Sequence, residues 1–351
     1  MQLIDDLIDQ VSLFQEDQKI IIHKYRDDNF QQRENATFLM LCRNSELIDV
    51  LETIQSVQDR YNNKFNYDYT FLNDKPFDNE FIYLVSSFIP FGSINFGSIP
   101  EDHWRVPDFI NRNKLLANLN QSNDTMLYGD SLSYRQMCRF YSGFFYKHEL
   151  VNQYQYYWRL EPGIKIFCDI DYDVFKFMKE NDKLYGFTLT MFEYERTIPT
   201  LWKNFQEYLK LHYNKQSQQL LKLVTNPISN TYNLCHFWTN FEIAKLSIYQ
   251  NSEYENYFKF LDSKGGFFYE RWGDAPIHSL GVSIVVEEPH QLHWFGDIGY
   301  YHQPYVQCPL KNQVFINNKC SCNPDDDFSF TDLSCTSHFL NVINGIEDNS
   351  V

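Results

Sequence analysis

At 351 residues the chain has room for one large α/β domain or two intimate ones, since domains commonly run to ~100–250 residues. A formal charge of −16 and a pI near 5.0 exclude an extended nucleic-acid surface, which needs clustered Lys and Arg to release counterions from phosphates. A local basic pocket for one small phosphorylated ligand stays open. Aromatic residues make up 18% of the chain, enough to supply both core area and flat amphipathic surfaces on which sugar rings stack.

No run approaches the 18 or more apolar residues of a membrane span; the longest, near 38–42 and 280–286, have strand length. The opening MQLIDDLIDQ has acids where a signal peptide has a basic region, so the sequence by itself reads as soluble and untargeted. The cysteines pull the other way. Cys308, Cys320, Cys322 and Cys335 crowd into a loop-rich tail of the type disulfides staple. Zinc is the rival reading, but C-x-C without a CxxC or HxxxH partner is poor zinc spacing. Sequons at Asn35, Asn120 and Asn123 are compatible with a secretory lumen.

In chain order, residues 1–33 are polar with apolar positions at Leu3, Ile4, Leu7, Ile8 and Val11, a spacing that predicts a helical stem. ATFLMLCR at 36–43 reads as a buried strand, Asn44-Ser45-Glu46 as a helix start, and the stretch to about Arg60 as an amphipathic helix. A second strand at 67–73 ends in Asn73-Asp74-Lys75-Pro76, which is turn chemistry at a carboxyl end, where ligands of open α/β sheets gather. Residues 90–123, with Gly92, Gly97, Pro100 and Pro107, read as an excursion from the sheet. Beyond them come an aromatic helix-compatible stretch at 134–146 and strand candidates at 154–160, 164–170 and 185–192. Helical spacing at 197–211, the segment 232–246 and a helix-like 252–261 precede a Gly265-Gly266 break. With no repeat or flexible linker, the expectation is one compact α/β domain over 34–340, a helical stem at 1–33 and a polar tail at 341–351.

Four segments carry candidate chemistry. YYWRLEPGIKIFCDIDYDVF places Glu161, Asp169, Asp171 and Asp173 near strand signals, and acids at a strand end hold divalent cations whose other ligands are diphosphate oxygens. Asp169-Ile170-Asp171 is the conspicuous metal candidate, against the alternative of a solvated turn. In TYNLCHFWTNFEIAKL, Glu242 sits amid Tyr232, Phe237, Trp238, Asn240 and Phe241, which makes it either a desolvated functional acid or half of a structural ion pair. GGFFYERWGDAPIHSL sets Glu270, Arg271, Asp274 and His278 around Gly273, where Glu270 and Arg271 read equally well as an ion pair. FGDIGYYHQPYVQCP offers His302 beside turn residues, a setting in which a lone His is more often structural than ligating.

Taken with NATFLMLCRNSEL, FLNDKPF and SYRQMCRFYSGFFYKH, these segments resemble the fungal α-1,2-mannosyltransferases of glycosyltransferase family 15, in order from about Asn35 to about Phe339. The resemblance implies a GT-A-type nucleotide-sugar transferase fold, α/β with a mixed central sheet flanked by helices. It also implies a type II membrane protein of the Golgi lumen, GDP-mannose as donor and Mn²⁺ as cofactor. The expected reaction is retaining transfer to a mannose-terminated glycan, N-linked, O-linked or on lipid. No anchor-like run stands in this sequence to match that topology.

Carried over by position, the family's metal-ligating acid in E-P-D falls on Glu161, not on Asp169 or Asp171, and its histidine ligand on His302. The proposed nucleophile falls on Glu242, the tyrosine near the reacting sugar on Tyr134, and the nucleotide-holding pair on Arg43 and Asn44. Asp274 falls at a position expected near the sugars. Gly163 departs from the pattern, standing where the family usually has a second acid. That loss sets the rival reading, a catalytically impaired mannan-binding or assembly protein that keeps the fold. A glycoside hydrolase using paired acids is disfavoured because the resemblance spans nearly the whole chain.

Overall fold

The computed structural model describes residues 19–24, 33–122, 126–212 and 219–346. Its strands are β1 (Lys19–His23), β2 (Ala36–Leu41), β3 (Asp68–Asn73), β4 (Ser93–Ser98), β5 (Tyr156–Leu160), β6 (Lys165–Ile166) and β7 (Tyr185–Phe187). These are followed by β8 (Thr190–Phe192), β9 (Cys235–Phe237), β10 (Glu242–Lys245), β11 (Leu292–Trp294), β12 (Tyr300–His302) and β13 (Tyr305–Gln307). Eight strands form a mixed sheet in the order β1-β4-β3-β2-β5-β10-β7-β11, with β1 and β10 antiparallel to the strands beside them and β4, β3, β2 and β5 mutually parallel. The chain steps outward from β2 to β3 to β4, then returns to lay β5 on the other side of β2. That reversal creates a crevice at the carboxyl ends of β2 and β5, the place where open α/β sheets receive ligands.

Alternation along the strands builds two cores. Phe38 and Met40, Trp158 and Leu160, and Ile243 pack beneath the helices Leu47–Val57 and Asn79–Phe88. Leu39, Tyr157 and Ala244 face the helices Leu132–Gly143, Ser252–Ser263 and Asp274–Val285. Each large apolar side chain so buried contributes about 1.5–3 kcal/mol, so the two layers hold the central strands firmly in place. On the second face the alternation places two charged residues, Arg159 of β5 and Glu242 of β10, opposite one another in the ladder.

Several sequence expectations change. The apolar run 280–286 lies almost wholly in the Asp274–Val285 helix, buried on all sides, so an all-round apolar pattern marks a core helix here and not a strand. The excursion at 90–123 contains β4, a central strand. Its Gly97 is dictated by packing, since a Cβ there would come within 2.6 Å of Leu150. The candidate at 185–192 divides between the main sheet and the β8–β9 pair, and that at 164–170 is strand only at Lys165–Ile166. Lys19–His23 is an edge strand, correcting the helical reading of that part of 1–33; the stripe Leu3, Ile4, Leu7, Ile8 and Val11 and the sequon at Asn123 lie outside the described residues. At the other end, the Thr336–Ile343 helix runs past 340 into the expected polar tail.

Disulfides join Cys168–Cys320, Cys235–Cys335 and Cys308–Cys322, so all four tail cysteines are paired, two of them to upstream partners. Among the described residues no helix is long and apolar enough to cross a membrane.

Candidate active site

The centre of the site is Arg159, a charged residue in the otherwise apolar strand YYWRL. Its side chain is 2% exposed, and it reaches three carboxylates. Nη1 donates to Asp274 Oδ2 at 2.5 Å, Nη2 donates to Glu161 Oε1 at 2.6 Å, and Nη1 lies 3.9 Å from Glu242 Oε2. The Tyr141 ring lies 3.5 Å beneath the guanidinium, a cation–π contact. Burial opposes the charge, but Asp274 and Glu161 outweigh it and hold Arg159 more firmly protonated than usual. Asp274, at the N-terminus of its helix, also accepts from Thr239 Oγ1 at 2.8 Å. Burial would raise its pKa, but Arg159 keeps it below the ordinary value.

Glu161 follows β5 at its carboxyl end, and His302 ends β12. Their side chains, each about a quarter exposed, meet with Glu161 Oε2 3.2 Å from His302 Nε2. Against the effect of burial, Arg159 and His302 hold Glu161 below the usual carboxylate range, and Glu161 raises His302. His302 Nδ1 donates to the Gln303 carbonyl at 3.1 Å, and Trp238 packs edge-on against the ring at 5.0 Å, so Nε2 is the nitrogen turned to Glu161. A carboxylate oxygen with one imidazole nitrogen on an open face fits an oxygen-preferring divalent cation such as Mn²⁺ that tolerates a nitrogen ligand. Among the described residues no group of three or more His, Cys, Asp or Glu could hold a metal, so a cation held at this pair would need further ligands from outside the side chains.

Beneath this layer, Glu242 is fully buried. Oε1 accepts from Tyr185 Oη and His278 Nδ1, both at 2.7 Å, and Oε2 accepts from Tyr157 Oη at 3.1 Å. His278 Nε2 lies 2.9 Å from the Tyr141 carbonyl, so an imidazole bonded on both sides to acceptors is a cation. Burial opposes that charge, yet Glu242 raises the His278 pKa overall. Arg159, His278 and His302 thus face three carboxylates, Glu161, Asp274 and Glu242.

The remaining candidates rim the crevice. Arg43, exposed just past β2, donates from Nη2 to Ser133 Oγ at 3.0 Å, beside Tyr134. Asn44 donates to the Pro76 carbonyl and accepts from Asp78 N, tying the loops after β2 and β3 together. A cavity of about 770 Å³ opens at the carboxyl ends of β3 and β4, lined by Asp74, Lys75, His103, Trp104 and Gln136 among others. Arg271 lies over the Tyr134 ring at 5.3 Å.

The structure keeps Asp169 and Asp171 away from this centre. Asp169 pairs with Arg60 at 2.8 Å and Lys319 at 3.2 Å, and Asp171 with Lys64. Asp173 caps the Val174–Glu180 helix. Gly163 has a φ of +85°, and a Cβ added to it would have nothing within 4 Å, so a side chain there would meet open space. Sequence reasoning overlooked Arg159 and Tyr185. The signal was available, because an Arg between Trp158 and Leu160 in a buried strand must find buried acids.

The chain matches the family described as glycolipid 2-alpha-mannosyltransferase over residues 5–344. It is 60% identical over 311 residues to the probable mannosyltransferase MNT3 of Candida albicans, covering 89% of this chain and 81% of that protein. To the alpha-1,2 mannosyltransferase KTR1 of Saccharomyces cerevisiae it is 48% identical over 312 residues, covering 88% and 79%. Among solved structures, core-mannan synthase A of Aspergillus fumigatus in its Mn/GDP form superposes with a TM-score of 0.83 at 36% identity, over 93% of this chain and 89% of that one. The S. cerevisiae mannosyltransferase Ktr4p in complex with GDP gives 0.82 at 36% identity, over 97% and 90%.

Proposed function

The chain belongs to the glycolipid 2-alpha-mannosyltransferase family and is a glycosyltransferase, and from that premise we propose that it moves mannose from GDP-mannose to the 2-hydroxyl of an acceptor mannoside with retention of configuration. The observation that carries this reading is the meeting of Glu161 and His302 at 3.2 Å, beside the crevice where the strand order reverses. Further support comes from the two solved relatives, whose descriptions name GDP and, in one case, Mn.

Cleaving the sugar–diphosphate bond leaves negative charge on the nucleotide and positive character on the sugar. Held by Glu161 and His302, Mn²⁺ would stabilise the charge on the departing diphosphate. Arg159 occupies Glu161 Oε1 and so turns Oε2 outward toward the metal position. The cavity at β3 and β4, bordered by Pro76 in the loop that Asn44 fixes, is the one we assign to the nucleoside, with Arg43 just past the neighbouring strand β2. Asp274 and Tyr134 border the sugars.

A covalent mannosyl-enzyme needs a carboxylate oxygen uncovered toward the anomeric carbon. Glu242 has no exposed surface and both its oxygens are hydrogen-bonded, which favours a front-face route in which Glu242 contributes negative charge below the positive sugar. We assign the protein to the Golgi lumen with membrane association by family; three disulfides support an oxidising compartment.

Incubation with GDP-mannose, Mn²⁺ and methyl α-mannoside, followed by linkage analysis, tests the proposal. An α-1,2-linked dimannoside formed only with the metal is the expected product. A folded protein that binds mannosides but transfers nothing would favour the impaired-enzyme reading.

A further inference from the structure

We propose that Tyr128 is a stacking platform for a second sugar ring of the acceptor, so that the protein reads the penultimate sugar as well as the one it extends. This inference rests on the glycosyltransferase reading above and names an outer subsite of the same cleft.

Tyr128 is 54% exposed, and its backbone has a φ of +57°, a left-handed conformation that a bulky side chain adopts only when its surroundings impose it. The cause is visible. Arg135, fully buried in the Leu132–Gly143 helix, donates to the Gly129 carbonyl at 2.7 Å and to Asn118 Oδ1 at 2.6 Å, gripping the turn from below. Gly129 itself lies so close to the Ser122 carbonyl that a Cβ would come within 2.1 Å of it. The turn therefore presents Tyr128 in a fixed position.

One face of that ring stacks on Tyr134, with centroids 4.7 Å apart and planes 22° from parallel. The stack leads inward to the catalytic cluster. Arg271 lies over Tyr134 at 5.3 Å and 3.6 Å from Glu193 Oε1, while Gly273, between Arg271 and Asp274, would place a Cβ 3.7 Å from Glu193 Oε2. Arg271 and Glu193, paired and almost fully buried, carry the line from Asp274 to Tyr134, and the exposed Tyr128 ring at its end offers an aromatic face suited to the C–H groups of a sugar. An exposed ring held in a strained backbone beside such a line has the chemistry of a pyranose subsite.

The test compares transfer to methyl α-mannoside with transfer to an α-1,2-linked dimannoside in the wild type, Tyr128→Ala and Tyr128→Phe. The wild type should prefer the dimannoside in kcat/KM. Tyr128→Ala should lower the ratio of the two kcat/KM values about five- to tenfold, as loss of one aromatic contact implies, whereas Tyr128→Phe should keep it. A misfolded variant would depress both substrates together and leave the ratio intact, which the Phe variant and a melting curve expose. An unchanged ratio in well-folded Tyr128→Ala overturns the subsite. Should the wild type transfer no mannose at all, the functional reading fails; saturation-transfer NMR with the dimannoside then decides the subsite alone. Contact to the second ring that Tyr128→Ala abolishes supports it, and no such contact in the wild type overturns it.

Discussion

Arg159 in β5 and Asp274 at the head of its helix are joined at 2.5 Å, and the same guanidinium holds Glu161 at 2.6 Å. A structural anchor for the fold and a template for the site are therefore one side chain. Breaking a buried ion pair from one side leaves the other charges unpaired and costs about 3–5 kcal/mol. Arg159→Gln should lose stability on that scale in urea denaturation, and Arg159→Lys should recover part of it, because a point charge reaches one acid where the fork reaches two. A loss below about 1 kcal/mol would show that the three acids do not depend on this residue.

His278 supplies a pH signature. Its pKa is raised in the folded protein because Glu242 outweighs burial, so its stabilising contribution is fully present below the unfolded value of about 6.5 and is lost as pH rises through the higher folded value. Accordingly, His278→Gln should destabilise the protein more at pH 5.5 than at pH 9. Denaturation midpoints of both proteins at the two pH values check this. A gap that widens with rising pH would mean His278 is buried neutral.

Glu242 separates binding from chemistry. If its charge matters only when the sugar turns positive, Glu242→Gln should lower kcat roughly 100-fold or more with little change in donor affinity. Measuring kcat, GDP-mannose affinity and melting temperature on one preparation decides the matter. Activity that falls only in proportion to unfolded protein would make Glu242 a structural acid.

The disulfide from Cys235 to Cys335 closes a long loop, joining β9 to the C-terminal helix. Cys335→Ser should cost about 2–5 kcal/mol of stability, and peptide mapping without reductant should recover the three pairs. Free thiols at all six positions in secreted protein would contradict the account.

Local patterns made much of this legible. The apolar runs ATFLML and YYWRL announced buried strands, and the turn Asn73-Asp74-Lys75-Pro76 marked a carboxyl end that borders the cavity. The approach of Glu161 to His302 was not available from composition or spacing; only family resemblance joined them, since a short strand far along the chain pairs with β6 and so brings His302 back to Glu161. Spacing favoured the compact Asp169-Ile170-Asp171 triplet, whose acids the fold pairs with Arg60, Lys319 and Lys64. Strand β4 escaped notice because its glycine is demanded by Leu150, a neighbour that no local window contains. Leu280 and its neighbours misled for the opposite reason: a helix buried all round has no polar face to reveal its period.

The most direct test of the central claim is calorimetric titration of GDP with and without Mn²⁺ into the wild type, Glu161→Ala, His302→Ala and Asp169→Ala. The wild type and Asp169→Ala should bind GDP much more tightly with the metal, while Glu161→Ala and His302→Ala should stay folded and lose at least tenfold, about 1.4 kcal/mol, of that metal-dependent affinity. Undiminished metal-dependent binding in both of those variants, with loss in Asp169→Ala, would contradict the assignment and move the metal to the acids of the Asp169 segment.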